Sequence, residues 1–214
     1  MASATLNLND WWAGPHPLLG RATHVWTQGC PRRCAGCCNV EALDADHVGL
    51  QMTPEELAVT CADEPGGLVL SGGEPFLQAG LLAEACERLR GRVPDIPILV
   101  YTGYLVEELL DLDGGASLLR QIDVLIDGPF EASRVSQSPL LGSSNQRVLL
   151  FTGRVTREQV AAVRRPELVA GVEAGGVRMV ASGTQVSHML RVARALASAP
   201  LGADQAVTSD EKNP

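Results

Sequence analysis

Three cysteines in one short segment are the residues whose types and spacing most directly indicate chemistry. Cys30 and Cys34 are separated by three residues, and Cys34 and Cys37 by two. Thiolates are soft ligands, and a loop with this spacing can wrap around one cubic iron–sulfur cluster and direct three sulfurs to three irons. The fourth iron would then be open, and an open position lets a metal centre bind substrate. Gly36 supplies backbone freedom in the tight second half of the loop.

A structural zinc site, with Cys38 as a fourth thiolate, is the alternative interpretation of this segment. Zinc sites usually combine two pairs of ligands that are separated along the chain. Four ligands within nine residues, two of them adjacent, fit that arrangement poorly, so the spacing favours a cluster. Cys38 is then a bystander beside the ligands. Cys61 and Cys86 lie among apolar residues at helical spacing and are predicted to be buried core thiols.

Glycines and polar residues directly follow three of the predicted strands. One such segment alone would be a turn, with Asp127 for example as a helix-capping residue. Three of them in equivalent positions favour a shared ligand site, in which glycine lets the backbone approach a ligand closely and Glu74 accepts a hydrogen bond from an amino group. In chain order these residues are Gly72, Gly73 and Glu74, then Thr102 and Gly103, then Asp127 and Gly128.

Strand-like and helix-like segments alternate along the chain, which predicts an α/β fold built from βαβ units with a parallel sheet. In such folds the functional residues gather on the loops that follow the strands. Thr53, Pro54 and Glu56 have the pattern of a helix N-terminus with a capping box. The predicted strands are 22–27, 68–70, 96–101, 124–126, 148–150 and 177–180, and the other predicted helices are 77–90, 156–165 and 185–199.

Composition bounds the class of protein. The 214 residues fit one domain, and the net charge of −8 argues against general nucleic-acid binding, which requires clustered Lys and Arg. No signal peptide and no apolar run long enough to span a bilayer are recognisable, so we expect a cytoplasmic protein without a membrane partner. In that compartment six cysteines are more plausible as thiols or metal ligands than as disulfides.

The ordered set of motifs resembles the radical S-adenosylmethionine superfamily. Within it, residues 22–150 are most similar to the activating enzymes of glycyl radical enzymes, and particularly to those of anaerobic ribonucleotide reductase. The matching positions are Gly36, Cys37 and Asn39, residues 71–73, 102–104, 127–128 with Phe130, and 142–146. Three features depart from the family pattern: residues 13–17 replace an Asp-Gly-Pro-Gly-like turn, Cys38 replaces an aromatic residue or His, and 64 residues follow Leu150.

The resemblance implies a partial (βα)6-like barrel with parallel strands and outer helices. It divides the chain into a lead-in segment (1–21), a radical S-adenosylmethionine domain (22–200) and a disordered tail (201–214). It also implies a [4Fe-4S] cluster on Cys30, Cys34 and Cys37, whose open iron chelates S-adenosylmethionine and cleaves it to a 5′-deoxyadenosyl radical. No catalytic side chain beyond the cluster and this cosubstrate is implied.

The same resemblance assigns roles to the strand-end residues. Gly72, Gly73 and Glu74 would hold the methionine amino end, with Asp127 nearby. The other implied contacts are Thr102 and Gly103 beside the adenosine, and Ser143, Asn145 and Arg147 on the next loop.

The implied partners are a glycyl radical enzyme and an electron donor of flavodoxin or ferredoxin type. A stand-alone enzyme that acts on a small molecule or peptide, with residues 151–214 shaping its pocket, stays the alternative. A redox or structural iron–sulfur protein without catalysis is disfavoured by the cosubstrate loops.

Overall fold

The computed structural model describes residues 4–64, 66–164, 169–173 and 176–180, the last two ranges as backbone only. The strands are β1 (Leu6–His16), β2 (Gly20–Thr27), β3 (Leu50–Met52), β4 (Gly67–Gly72), β5 (Ile98–Tyr101), β6 (Val124–Asp127), β7 (Arg147–Leu150), β8 (Val169–Glu173) and β9 (Gly176–Val180). The α-helices are α1 (Pro54–Ala62), α2 (Ala79–Arg92), α3 (Val106–Leu109), α4 (Gly115–Leu119) and α5 (Arg157–Ala162). Short 3₁₀ turns are formed by Val40–Ala42, Pro75–Gln78 and Ala132–Arg134.

The first seven strands form one mixed sheet in the order β3-β1-β2-β4-β5-β6-β7. Its centre, β2, β4, β5 and β6, is parallel, whereas β1, β3 and β7 pair antiparallel with their neighbours. The α/β class is therefore confirmed. The sheet is open, however, and a parallel partial barrel is not confirmed, because a three-residue turn forces β1 and β2 into a hairpin and no α-helix connects β6 to β7.

The two faces of the sheet bury different sets of side chains. α1 and α2 cover one face, where Leu57 and Leu82 pack with strand residues such as Leu70. Cys61 and Cys86 lie in this core and are buried, which confirms the interpretation of both as core thiols. On the opposite face, strand residues pack against side chains from loops. This smaller core includes Val69, Leu99, Ile126, Leu140 and Val155.

Helix α1 begins as the sequence predicts. The backbone N–H of Glu56 donates to Thr53 Oγ1 (3.2 Å), and the Thr53 N–H donates to Glu56 Oε2 (2.8 Å), which completes the capping box. The prediction of helix at 77–90 is confirmed as α2, that at 156–165 as the shorter α5, and the strand at 177–180 as β9. The predicted helix at 185–199 and the tail at 201–214 lie outside the described residues. Within the described part, no helix is long and apolar enough to cross a membrane.

The lead-in segment contributes strand β1, which pairs with β2 along most of its length. The register shifts between Leu8 and Asp10. Farther along, the ring of Trp12 covers the backbone of Gly14 so closely that a Cβ on Gly14 would lie 2.0 Å from it. Trp12 also stacks on His24 of β2, with ring centroids 5.8 Å apart. β1 is thus built into the sheet beside the strand that leads to the cysteines.

Candidate iron–sulfur and cosubstrate site

The parallel strands β2, β4, β5 and β6 end at the same edge of the sheet, so the loops after them lie together. These loops carry the cysteines and the three glycine-containing segments that the sequence singles out. The structure therefore brings the predicted site residues to one edge, as the parallel-sheet argument requires.

The cysteine segment forms a loop whose two ends are joined by protein hydrogen bonds. The Gly29 N–H donates to Ala42 O (2.8 Å), and the Cys30 N–H donates to Leu43 O (3.2 Å). Gln28, which is buried, adds hydrogen bonds from Nε2 to Glu41 O (3.2 Å) and Asp44 O (2.7 Å). We call residues 28–44 the cluster loop. Its base is closed by hydrogen bonds between protein atoms.

Inside the cluster loop the three cysteines are partly exposed, in contrast to the buried Cys61 and Cys86. Burial raises the pKa of the Cys30 thiol, and hydrogen bonds from the backbone N–H groups of Arg32 and Arg33 act in the opposite direction by favouring the thiolate. Thiolate is the form that binds iron.

The geometry also bears on the zinc alternative. Among the described residues, no three His, Cys, Asp or Glu side chains converge as they would around a single metal ion. A cluster does not require that convergence, because each thiolate binds a different iron. The three cysteines fit a cluster by donor chemistry, loop placement and partial exposure, and Cys38 is exposed beside them. Their assignment as ligands stays a prediction.

Gly72, the last residue of β4, and Gly73 after it both lie too close to neighbouring backbone to carry a side chain, Gly72 against Thr27 of β2 and Gly73 against the cluster loop. Gly72 has a φ of +104°, and a Cβ on Gly73 would lie 2.2 Å from Gly29 O and 2.8 Å from Ala42 O. The Gly73 N–H donates to Thr27 O (2.7 Å). In the structure, these glycines allow segments of the protein's own backbone to approach each other closely.

Glu74 connects the loops after β4 and β5. Its side chain is buried and accepts hydrogen bonds from Phe76 N–H (3.0 Å), Thr102 Oγ1–H (2.9 Å) and Gly103 N–H (2.8 Å). A carboxylate has about four acceptor positions, so these three donors leave about one. Binding of a ligand amino group by Glu74 stays a prediction. The hydrogen bonds by which its carboxylate links the two loops are present in the structure.

Replacement of Glu74 by Gln is expected to change how stability depends on pH. Burial raises the Glu74 pKa from 4.5 to about 6, so between these values the folded protein binds a proton more tightly than the unfolded chain does. The wild type should therefore gain on the order of 1 kcal/mol as pH falls from 7 to 5, and Glu74→Gln should lack this gain. Urea unfolding of iron-free protein at both pH values measures it. Equal pH dependence in the two proteins would contradict the raised pKa.

Asp127 is buried and held by partners that sequence reasoning did not identify. Its Oδ2 accepts from Val106 N–H (2.8 Å), and Arg147 Nε donates to its Oδ1 (2.9 Å). The same Arg147 forms an ion pair with Glu107 (2.8 Å). Asp127 thus caps the short helix α3 and fixes Arg147 of β7. Asp127 could be predicted from its position at the end of a strand. Its partners could not, because they are distant in the sequence.

The loop at 142–146 is tied to the loop after β6. Ser143 Oγ accepts from Glu131 N–H (3.0 Å), and Asn145 Nδ2 donates to Pro129 O (2.7 Å). Asn145 Oδ1 is buried and has no hydrogen-bond partner among the described residues. Since a buried acceptor without a partner is costly, this oxygen is suited to receive a hydrogen bond from a bound ligand.

Arg32 is a residue of the site that the sequence alone did not single out. It lies between two predicted ligands, and its guanidinium sits over the ring of Tyr104, 4.9 Å from the ring centroid. The sequence indicates Arg32 only as a basic residue within the cysteine motif. It does not show which residues the Arg32 side chain contacts.

Comparison with known proteins gives independent evidence on the family of the chain. The model of the family described as "4Fe-4S single cluster domain" matches residues 19–149, more than half of the chain. The chain therefore belongs to the class of proteins with the 4Fe-4S single cluster domain.

Curated relatives narrow the class. Three are named anaerobic ribonucleoside-triphosphate reductase-activating protein. The one from Vibrio cholerae is 33% identical over 141 residues, which cover 62% of this chain and 90% of that protein. The Pasteurella multocida protein is 32% identical, covering 62% and 89%, and that of enterobacteria phage T4 is 30% identical, covering 58% and 80%. The chain belongs to the family of anaerobic ribonucleoside-triphosphate reductase-activating proteins.

Proposed function

We propose that this protein reductively cleaves S-adenosylmethionine and uses the resulting radical to activate an anaerobic ribonucleotide reductase. A [4Fe-4S] cluster bound by Cys30, Cys34 and Cys37 would supply the electron that breaks the sulfur–C5′ bond, releasing methionine and a 5′-deoxyadenosyl radical. That radical would remove a hydrogen atom from a glycine of the reductase, leaving 5′-deoxyadenosine and a glycyl radical.

The observation that carries the proposal is the meeting of four loops at one edge of the sheet. The cluster loop contacts the backbone at Gly73, and Glu74 joins that backbone to Gly103. A cosubstrate bound here would lie against the cluster and would be enclosed by backbone on several sides. Such enclosure excludes water and keeps a reactive species from side reactions.

Within this arrangement the chain's own residues bind and orient the cosubstrate. Glu74 and the backbone near Gly72 would face its amino end, and Thr102 and Gly103 its adenosine. The buried Oδ1 of Asn145 offers an acceptor for an N–H or O–H of the ligand. Asp127 and Ser143 were predicted to contact the cosubstrate; because each has a protein partner in the structure, we propose that they support the binding loops.

The choice of target rests on the relatives. They are named for activation of anaerobic ribonucleoside-triphosphate reductase, and this chain covers most of the length of each. An electron donor of flavodoxin or ferredoxin type stays a prediction from the family resemblance, as does the cytoplasmic location.

The test combines product analysis with electron paramagnetic resonance. Reconstituted protein, a strong chemical reductant and S-adenosylmethionine should yield 5′-deoxyadenosine and methionine without a partner. Addition of an anaerobic ribonucleotide reductase should then produce a doublet signal, which should collapse when the reductase is labelled with glycine deuterated at Cα. The deuterium should appear in 5′-deoxyadenosine.

Two results would each overturn a different part of the proposal, the cleavage step or the target of the radical. Absence of 5′-deoxyadenosine under reducing conditions would remove the cleavage step. Cleavage without a protein radical, together with transfer of deuterium from a labelled small molecule or peptide, would instead identify a stand-alone enzyme.

A further inference from the structure

Arg32 links the cluster loop to the loop that follows β5. Its guanidinium lies 4.9 Å from the centroid of the Tyr104 ring, and its Nη1 is 3.7 Å from Glu108 Oε1. Its aliphatic stem covers Gly103, where a Cβ would lie 3.0 Å from Arg32 Cγ. The side chain thus contacts residues 103, 104 and 108 from a position between two predicted cluster ligands.

The loop that Arg32 contacts is held to the rest of the protein from its other side. The Gly103 N–H donates to Glu74 (2.8 Å), and Tyr104 O accepts from Gly128 N–H (2.8 Å). Within the loop, the Tyr104 N–H donates to Thr102 Oγ1 (3.1 Å). The β5 loop is therefore fixed to the sheet by its backbone. Among the described residues, the contacts of Arg32 connect the loop after β5 to the cysteine segment.

These contacts are poorly suited to stabilising the whole fold. The Arg32 side chain is 28% exposed and that of Glu108 is 44% exposed, and ion pairs between exposed groups contribute little to stability. A cation–π contact does restrain geometry, because the charge is attracted to the face of the ring. The contacts of Arg32 are therefore suited to fixing the distance between the cluster loop and the loop after β5.

We propose that Arg32, whose guanidinium lies over the ring of Tyr104, is a positioning residue that holds the adenosine-binding loop at the correct separation from the cluster. This inference rests on the proposed function, which places the cluster on one of these loops and the adenosine on the other. Arg32 acts through Tyr104 and Glu108 and does not itself contact the cosubstrate. Small errors in the placement of reacting groups cost large factors in rate, so loss of the contact should slow cleavage.

The experiment compares Arg32→Gln, Tyr104→Leu and the double variant with the wild type. Iron content should be unchanged in all of them. The kcat/KM for 5′-deoxyadenosine formation should fall about 10- to 100-fold in each single variant, and the double variant should be no slower than the slower single variant. Arg32→Lys, which keeps the charge but not the planar guanidinium, should lie between wild type and Arg32→Gln.

Arg33→Gln is the matched control. Arg33 is the next residue of the same loop, and its exposed side chain forms no ion pair among the described residues. Its backbone N–H, which donates to Cys30, is unchanged in the variant. Arg33→Gln removes the same charge as Arg32→Gln but leaves the contact between Arg32 and Tyr104 in place. The kcat/KM of this control should therefore stay within about twofold of wild type.

A second readout does not depend on activity. In iron-free protein, hydrogen exchange at residues 102–108 should be at least about threefold faster in Arg32→Gln and Tyr104→Leu than in wild type or Arg33→Gln. Unchanged exchange, unchanged kcat/KM, loss of iron from Arg32→Gln, or multiplicative effects in the double variant would each overturn the inference. A wild type that cannot cleave S-adenosylmethionine, with the exchange result as expected, would count against the proposed function.

Discussion

Replacement of Cys30, Cys34 or Cys37 by Ala is expected to reduce the iron content of anaerobically reconstituted protein from about four atoms per chain to less than one. Each thiolate of the loop would bind a different iron, so two thiolates would leave two corners of the cluster without protein ligands. Iron and sulfide analysis, together with the visible absorption of the cluster, measures the loss. Production of 5′-deoxyadenosine should disappear in parallel.

The matched controls are the other three cysteines. Cys61 and Cys86 are buried in the core beneath α1 and α2, so Cys61→Ala and Cys86→Ala should keep the full iron content. Cys38→Ala should keep it too, and this variant separates the cluster from a four-thiolate zinc site. Tightly bound zinc that is lost from Cys38→Ala, with no iron–sulfur absorption, would falsify the cluster assignment.

Gly73→Ala is expected to have the second largest effect, because the added methyl group has no space. It would lie 2.2 Å from Gly29 O and 2.8 Å from Ala42 O, both of which are backbone atoms of the cluster loop. Relief requires that the strand end and the cluster loop move apart, at a cost of about 3 kcal/mol. Urea unfolding of iron-free protein should show the lost stability, and the reconstituted variant should retain less iron than wild type.

Gly91→Ala provides the comparison for the glycine prediction. Gly91 is exposed in the last turn of α2, and a Cβ there would meet no atom within 4 Å. Because Ala favours helix more than Gly does, this variant should be more stable by about 0.5 kcal/mol and should keep its iron. If Gly73→Ala were as stable as Gly91→Ala, the tight contact between β4 and the cluster loop would be wrong.

The fold could be predicted where its determinants are local. The capping box at Thr53 and Glu56 is a pattern of adjacent residues, and it forms as expected. β1 was not predicted as a strand, because the register shift between Leu8 and Asp10 interrupts its alternation and it contains Gly14 and Pro15, which are weak strand formers. The direction of β7 could not be predicted, since the connection from β6 is long enough for either orientation.

The site could be predicted as a set of positions but not as a set of contacts. Parallel strands end at one edge, so the sequence sufficed to place Gly73, Gly103 and Asp127 together. The partners of the polar residues come from other segments of the chain, as with Asp127 and Arg147, which face each other on the neighbouring strands β6 and β7. Whether a buried carboxylate faces a ligand or the protein depends on such contacts, and these are set by tertiary packing.

The closed base of the cluster loop has a consequence for repair. The hydrogen bonds from Gly29 to Ala42 and from Cys30 to Leu43 are made between protein atoms, so the loop loses most of its conformational entropy when the chain folds. Insertion of a cluster then requires little further ordering, as in other preorganised binding sites. We therefore expect a chain that has lost its cluster to keep these hydrogen bonds and to take up a new cluster without refolding.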